Sequence, residues 1–337
     1  MSKRVARLAG SAASLPITLF GLVLTTFLIG RVIPIDPVIA IAGDHAPEAV
    51  VAHVRQELGL DRPLLVQFTI YCRHLLQGDL GSSVMTSHPV VQDLAHFFPA
   101  TLELATTAIL VASLVGIPVG VFAAARQGSR FDHAVRIVAT ASQSMPIFVL
   151  GLGSLLIFYV KLGVAPGPGQ VDVAYDGLVD GPTGMLVLDA ALQGEWDVFR
   201  DAAAHLAQPA LLLAAFSFAV IARMTRSFML EALAGEYITT ARAKGLSRTR
   251  ILWRHAFGNI KVPLVTLLAL AYANLLEGAV VTESVFGWPG LGRYLTISLL
   301  NADMNAVLGA TLVVGVIYLG LNRFADVAAR LLDPRTR

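Results

Sequence analysis

Few residues in this 337-residue chain stand at a spacing that chemistry requires. Cys72 is the only cysteine, so neither an intramolecular disulfide nor a cysteine-based metal cluster can form. The eight histidines, His45, His53, His74, His88, His96, His133, His205 and His255, include no i, i+4 pair and no His-Glu-x-x-His run, so no metal site is expected. No Gly-x-x-x-x-Gly-Lys-Ser/Thr phosphate loop occurs, so no ATP site is expected on this chain. A hydrolase working inside apolar segments needs a nucleophile with a base or a metal pair, and none is evident.

What remains are polar groups inside long apolar runs, where burying a charge is costly and so marks function by default. Glu277 follows Asn274 by three residues and shares its helix face. Glu103 and Glu283 fall near the ends of apolar runs, and Glu103 suits the first turn of a helix, where the macrodipole favours a carboxylate. Asn274 also suits hydrogen bonding between helices. Pro146 removes a backbone donor within an apolar run and is expected to kink it. Pro146, Asn274, Glu277 and Glu283 are the candidates for a pathway or gate.

The elements that must hold these groups follow from composition. Hydrophobic residues make up 55% and charged residues 14%, against roughly 25% charged in a soluble domain. A span needs about 20 apolar residues. Six segments approach that, near residues 12–30, 102–125, 137–160, 206–222, 262–281 and 304–321, and the expected fold is an all-α polytopic membrane protein with six transmembrane helices. The net charge of +2 carries no broad basic face for nucleic acid. Charge instead fixes orientation. Lys3, Arg4, Arg7, Arg126, Arg130, Arg136, the eight basic residues from Arg223 to Lys261, and the four from Arg323 to Arg337 all fall on the side of the amino terminus, which places both termini in the cytoplasm. A cleaved signal peptide ending at Ala40-Ile41-Ala42 would put too long a gap after Gly30, so the first segment is read as an anchor.

The chain then divides into a cytoplasmic start and first span (1–30), an extracytoplasmic cap (31–99), and a five-span core (100–337) with a cytoplasmic elbow at 231–261. In the cap, 47–58 and 64–76 read as helices, with Val50, Val51, Val54 and Leu58 at helical spacing, a break at Gly59-Leu60-Asp61-Arg62-Pro63, and a turn at Gly78-Asp79-Leu80-Gly81-Ser82-Ser83. The second outer segment, 161–205, is acidic and loop-rich. Gly287-Trp288-Pro289-Gly290-Leu291-Gly292 reads as a rigid turn with an interfacial Trp.

In the elbow, Ile238, Ala241 and Gly245 recur at spacings of three and four and give one small apolar face, with Arg242 and Lys244 pointing elsewhere. Gly245 suits the left-handed residue that ends a helix, and Ser247 suits the cap of a second helix over 248–257. Such a face fits a partner's groove, or anionic lipid.

The run Glu236-Tyr237-Ile238-Thr239-Thr240-Ala241-Arg242-Ala243-Lys244-Gly245-Leu246, with Arg254-His255-Ala256 and Pro263, resembles the cytoplasmic signature of binding-protein-dependent ABC importer permeases of the dipeptide, oligopeptide and nickel group. Thr239, Thr240 and Ala241 stand where the wider superfamily has Glu-Ala-Ala, and His255-Ala256-Phe257-Gly258 where it has Ile-x-Leu-Pro. Pro99-Ala100-Thr101-Leu102-Glu103-Leu104, Gly116-Ile117-Pro118-Val119-Gly120, Glu283 to Gly292 and Asp333-Pro334-Arg335 resemble the same group, and the long outer segment resembles its first permease type. The resemblance implies a type I importer permease fold in the bacterial inner membrane. It also implies a homologous second permease, two ATPase subunits that bind ATP and Mg, and an extracytoplasmic substrate-binding protein. Thr239, Ala241, Arg242, Ala243, Gly245 and Leu246 would form the ATPase contact, with no catalytic residue and no cofactor on this chain. Di- or oligopeptides are the implied cargo, with nickel chelates or other small solutes as the alternative. A stand-alone secondary transporter would show internal repeats and charge relays, which the sequence lacks.

Overall fold

The computed structural model describes residues 3–32, 46–57 and 59–332, with side chains described except at 3–15, 32, 54, 57, 326 and 328–332. The Ala40-Ile41-Ala42 triplet, Leu58 and Asp333-Pro334-Arg335 lie outside the described residues. The regular elements among those described are helices, apart from one isolated bridge between Ser82 and Pro89. They are α1 (Lys3–Val32), α2 (Glu48–Glu57), α3 (Leu64–Leu76), α4 (Val90–Ala125), α5 (Arg130–Ser144), α6 (Ile147–Lys161), α7 (Leu186–Gln193), α8 (Trp196–Leu233), α9 (Glu236–Ala243), α10 (Arg248–Phe286), α11 (Leu291–Leu300) and α12 (Met304–Leu332).

Of these, α4, α8, α10 and α12 are long and apolar enough to cross a membrane, and α5 with α6 makes a fifth crossing if a bend of 94° between them is one broken span. The apolar part of α1 within the described side chains, Pro16–Arg31, is shorter. The crossings fall where apolar runs were expected, but several helices extend well past them. At about 1.5 Å per residue, the 36 residues of α4 span about 54 Å, well beyond a core of about 30 Å. Pro99, Pro118, Pro209 and Pro263 all sit within continuous helices.

Within the apolar runs, Pro146 is the proline that coincides with a break. Met145 before it is extended (φ −103°, ψ 136°), the conformation that a following proline favours. The turn leading into it is weakened further, since Thr140, Ser142 and Ser144 each donate a hydroxyl to the carbonyl four residues back.

The chain forms two compact units. The first comprises Met1–Phe98 and Tyr294–Ile317. Within it, the expected cap helices appear as α2 and α3, separated by Gly59 at φ +64°. Phe68 of α3 lies 5.2 Å from Phe27 and 5.9 Å from Phe20 of α1, ring centre to ring centre. The turn after α3 is pinned by Asp79, which accepts from the Gly81 N–H and pairs with His74.

The second unit comprises Pro99–Arg293 and Tyr318–Arg337. Its core joins Leu104, Ala105, Ala108 and Ala112 of α4 to Leu213, Ala214 and Ile221 of α8, Leu275 and Ala279 of α10, and Trp288. Small residues let the backbones close in. A Cβ on Gly120 would lie 2.6 Å from the Ala222 carbonyl oxygen, so only glycine permits that approach.

Candidate functional site

The elbow is built as a bracket on the second unit. After α8 ends, Gly235 leads into α9, Gly245 adopts φ +74°, and the Ser247 hydroxyl accepts from the Arg250 N–H, as the local sequence predicts. The face that buries itself is the unexpected part. Ile238 and Ala241 are 0% and 5% exposed and pack against Val121, Ala124, Met229, Ile251, Leu252, Ala256 and Ile260 of the same chain. The small apolar stripe therefore seats the elbow on its own helices and offers no groove-filling face to a partner.

What faces outward is the other side, where Thr239, Arg242, Ala243, Lys244 and Gly245 are exposed and Leu246 is half-buried. A groove of about 460 Å³ opens beside it, lined by Ala125, Leu233, Arg242, Leu246, Arg248, Ile251 and Leu252. Arg248 donates to the carbonyl of Ala125, the last residue of α4, and so occupies one of the acceptors a helix end leaves open. The second arm does not stop at Phe257. A π-helical turn over Ile251–Ala256 carries it without a break into the membrane helix, making the elbow continuous with α10.

Glu283 does not face open space. It is 0% exposed, accepting from the Thr101 hydroxyl (2.6 Å) and the Arg293 N–H (2.9 Å). Thr101 in turn accepts from the Leu291 N–H, while the Trp288 indole donates to the Ala100 carbonyl. Trp288 is fully buried, which replaces the expected interfacial anchor with a core plug. The glycines of this turn are required sterically, since a Cβ on Gly290 would fall 2.3 Å from the Glu283 carboxyl carbon.

Glu103 also serves a structural end, though not in the first turn of its own helix. It lies well inside α4, and its Oε1 accepts from the Val187 and Leu188 N–H groups at the start of α7. The macrodipole it answers belongs to another helix. By contrast, Asn274 and Glu277 are exposed on one face of α10, and Pro146 is exposed at the 94° break.

Among the buried carboxylates that the sequence reading did not single out are Asp132 and Asp303. Asp132 is 1% exposed and accepts from Nε and Nη2 along one guanidinium edge of Arg226 of α8, Nη2 to Oδ2 at 2.8 Å. Its signal was the Ser129-Arg130-Phe131-Asp132 capping pattern, in which the Ser129 hydroxyl accepts from the Asp132 N–H. In the first unit Asp303 accepts from the Ser83 hydroxyl, the Met85 N–H and the Ala306 N–H, the last bond capping α12. An aspartate just ahead of an apolar run is the local sign of that cap.

Long apolar helices, with carboxylates tied into their packing and a basic elbow seated against them, define a polytopic membrane protein. The chain belongs to the family of binding-protein-dependent transport system inner membrane components. The model of that name matches residues 116–337, and the family's N-terminal model matches residues 5–105. It is an inner-membrane permease subunit of the ABC importer class. Over 318 residues it is 45% identical to the probable D,D-dipeptide transport system permease protein DdpB of Escherichia coli strain K12, covering 94% of this chain and 92% of that one. It is 42% identical over 321 residues to the di/tripeptide transport system permease protein DppB of Pseudomonas aeruginosa strain UCBPP-PA14, covering 95% of each. Among solved structures, the inward-facing MetNI methionine ABC transporter aligns at a TM-score of 0.49 and 17% identity, over 69% of this chain and 93% of that chain.

Proposed function

We propose that this permease forms half of the pathway of an ATP-driven importer of short peptides, paired with a homologous permease. Two ATPase subunits bind on the cytoplasmic side, where both termini lie, and a substrate-binding protein delivers cargo on the other. The peptide assignment is supported by the names of relatives that match along nearly their whole length, D,D-dipeptide and di/tripeptide permeases. Nickel chelates and other small solutes are second to it.

The observation that carries the mechanism is the two-sided elbow. One face, Ile238 and Ala241, is buried on the chain's own helices, while Thr239, Arg242, Ala243 and Gly245 face outward beside a groove reached by Leu246. A force applied to that outer face passes through the Gly245 turn into α10, whose first turns are the elbow's second arm. Hydrolysis itself belongs to the ATPase subunits, which hold ATP and Mg. Asn274 and Glu277 are the pathway candidates, since two polar side chains on one exposed helix face in a membrane need water or a partner. Pro146 is the candidate joint.

The test is reconstitution with the second permease, ATPase subunits and binding protein of the same transport system, followed by uptake of labelled D-Ala-D-Ala and Ala-Ala into vesicles. ATP-dependent accumulation of either is expected. Uptake by this chain without ATPase subunits would overturn the reading.

A further inference from the structure

We propose that the Asp132–Arg226 ion pair is a positioning link that makes the first half of the broken span move as one body with the elbow, an inference resting on the elbow being the ATPase-docking element. Arg226 lies on α8 nine residues before Gly235, with no break in the helix up to Leu233, so a displacement of the elbow is passed stiffly to that guanidinium. Asp132 stands two residues into α5. The Arg226 Nε donates to Oδ1 and Nη2 to Oδ2, a two-pronged bond that fixes orientation as well as distance. Oδ2 also accepts from the Gly128 N–H at 3.0 Å, so the same carboxylate holds the turn between α4 and α5.

The packing around the pair has no slack. Ala123, Val135 and Ala222 form a buried cluster beside it, and Gly120 meets α8 so closely that a Cβ there would lie 3.1 Å from the Arg226 backbone nitrogen. The inner ends of α4, α5 and α8 thus make one block. At its far end α5 runs into Met145 and Pro146, where the helix turns by 94° and one backbone donor is missing. A block at one end and a joint at the other is the arrangement of a lever. An apolar contact in place of the pair would let α5 slide along α8, whereas a buried ion pair acts more through register than through net stability.

The test uses the assembled transporter in proteoliposomes, with Cys72→Ser removing the native thiol and nitroxide labels on His133→Cys and on Glu236→Cys at the start of α9, both exposed positions outside the outward elbow face. The distance between these labels should be the same with and without ATP, and should broaden or shift on ATP binding in Asp132→Asn and in Arg226→Gln. Labelled Ala-Ala carried per ATP hydrolysed should fall about tenfold in each single variant, and no further in the double, because both remove one interaction. A fixed label distance in Asp132→Asn, or losses that multiply in the double variant, would overturn the proposal. So would variants that lower only the amount of assembled transporter, with the ratio unchanged, since that is a purely structural role. Failure of the elbow reading shows separately, as normal assembly and transport by Gly245→Asp with the pair intact.

Discussion

The Thr101 hydroxyl donates to Glu283 Oε1 across 182 residues of sequence, and both side chains are almost wholly buried. Thr101 also accepts from the Leu291 N–H, so Thr101→Val strands two groups at once. Each buried orphan costs about 1–3 kcal/mol. A clear fall in the unfolding temperature of the detergent-solubilised protein is expected for Thr101→Val, with Thr101→Ser close to the parent. Equal melting of the two variants would count against the hydroxyl's role.

Gly245 combines a left-handed backbone with open surroundings, as nothing beyond its two chain neighbours lies within 4 Å of where a Cβ would stand. Gly245→Ala should therefore lose about 1–2 kcal/mol of local stability from the backbone alone, with uptake reduced. Gly245→Asp adds a charge on the outward face, and is expected to abolish ATP-coupled uptake while the protein still inserts. Membrane fractionation with an uptake assay checks both parts.

Close approach of α4 to α8 depends on Gly120, whose added Cβ would lie 2.6 Å from the Ala222 carbonyl oxygen and 2.8 Å from Thr225 Cβ. Overpacking of that kind costs about 1–3 kcal/mol. Gly120→Ala should lower the unfolding temperature, and Gly120→Val more so. Retention of full stability by Gly120→Val would show that the helices separate freely.

Exposure of Glu277 on the same face as Asn274 predicts access to water. In a Cys72→Ser background, Glu277→Cys should react with a charged, membrane-impermeant thiol reagent, and Leu270→Cys, an exposed apolar position on that helix, should react more slowly. Equal, slow labelling at both would place Glu277 against lipid or a sealed interface.

Asp79 is held below the ordinary carboxylate range, first by the Gly81 N–H and then by His74. A depressed folded value means that its contribution is present above the unfolded value of about 3.9 and is lost as pH falls through the folded value. The side chain is half exposed, so the effect is small. Mild loosening of the 78–83 turn below about pH 4 is expected, absent in Asp79→Asn, and hydrogen exchange at Gly81 reads it.

Local rules carried a good part of this fold. Hydropathy located the long helices, periodicity located α2, and turn chemistry located the left-handed Gly245 and the Ser247 cap. Each depends on residues a few positions apart, and so is written in order along the chain. Pro146 was legible as a disturbance, but its 94° turn was not, since Pro99, Pro118, Pro209 and Pro263 carry the same local signal and stay within continuous helices.

What the chain order does not contain is which face meets what. Ala241 read as outward and is buried, because Val121, Ala124 and Met229 arrive from distant segments to cover it. Glu283 and Glu103 read as a pathway group and a first-turn carboxylate, and became a core acceptor and the cap of another helix. Asp132 and Arg226, 94 residues apart, carried no sign of each other. By itself the sequence determined a helical membrane permease with an elbow. Tertiary structure decided which of its polar groups bind the fold together and which remain open, because a charge in a low-dielectric interior is defined by the partner it finds, and that partner is brought by packing.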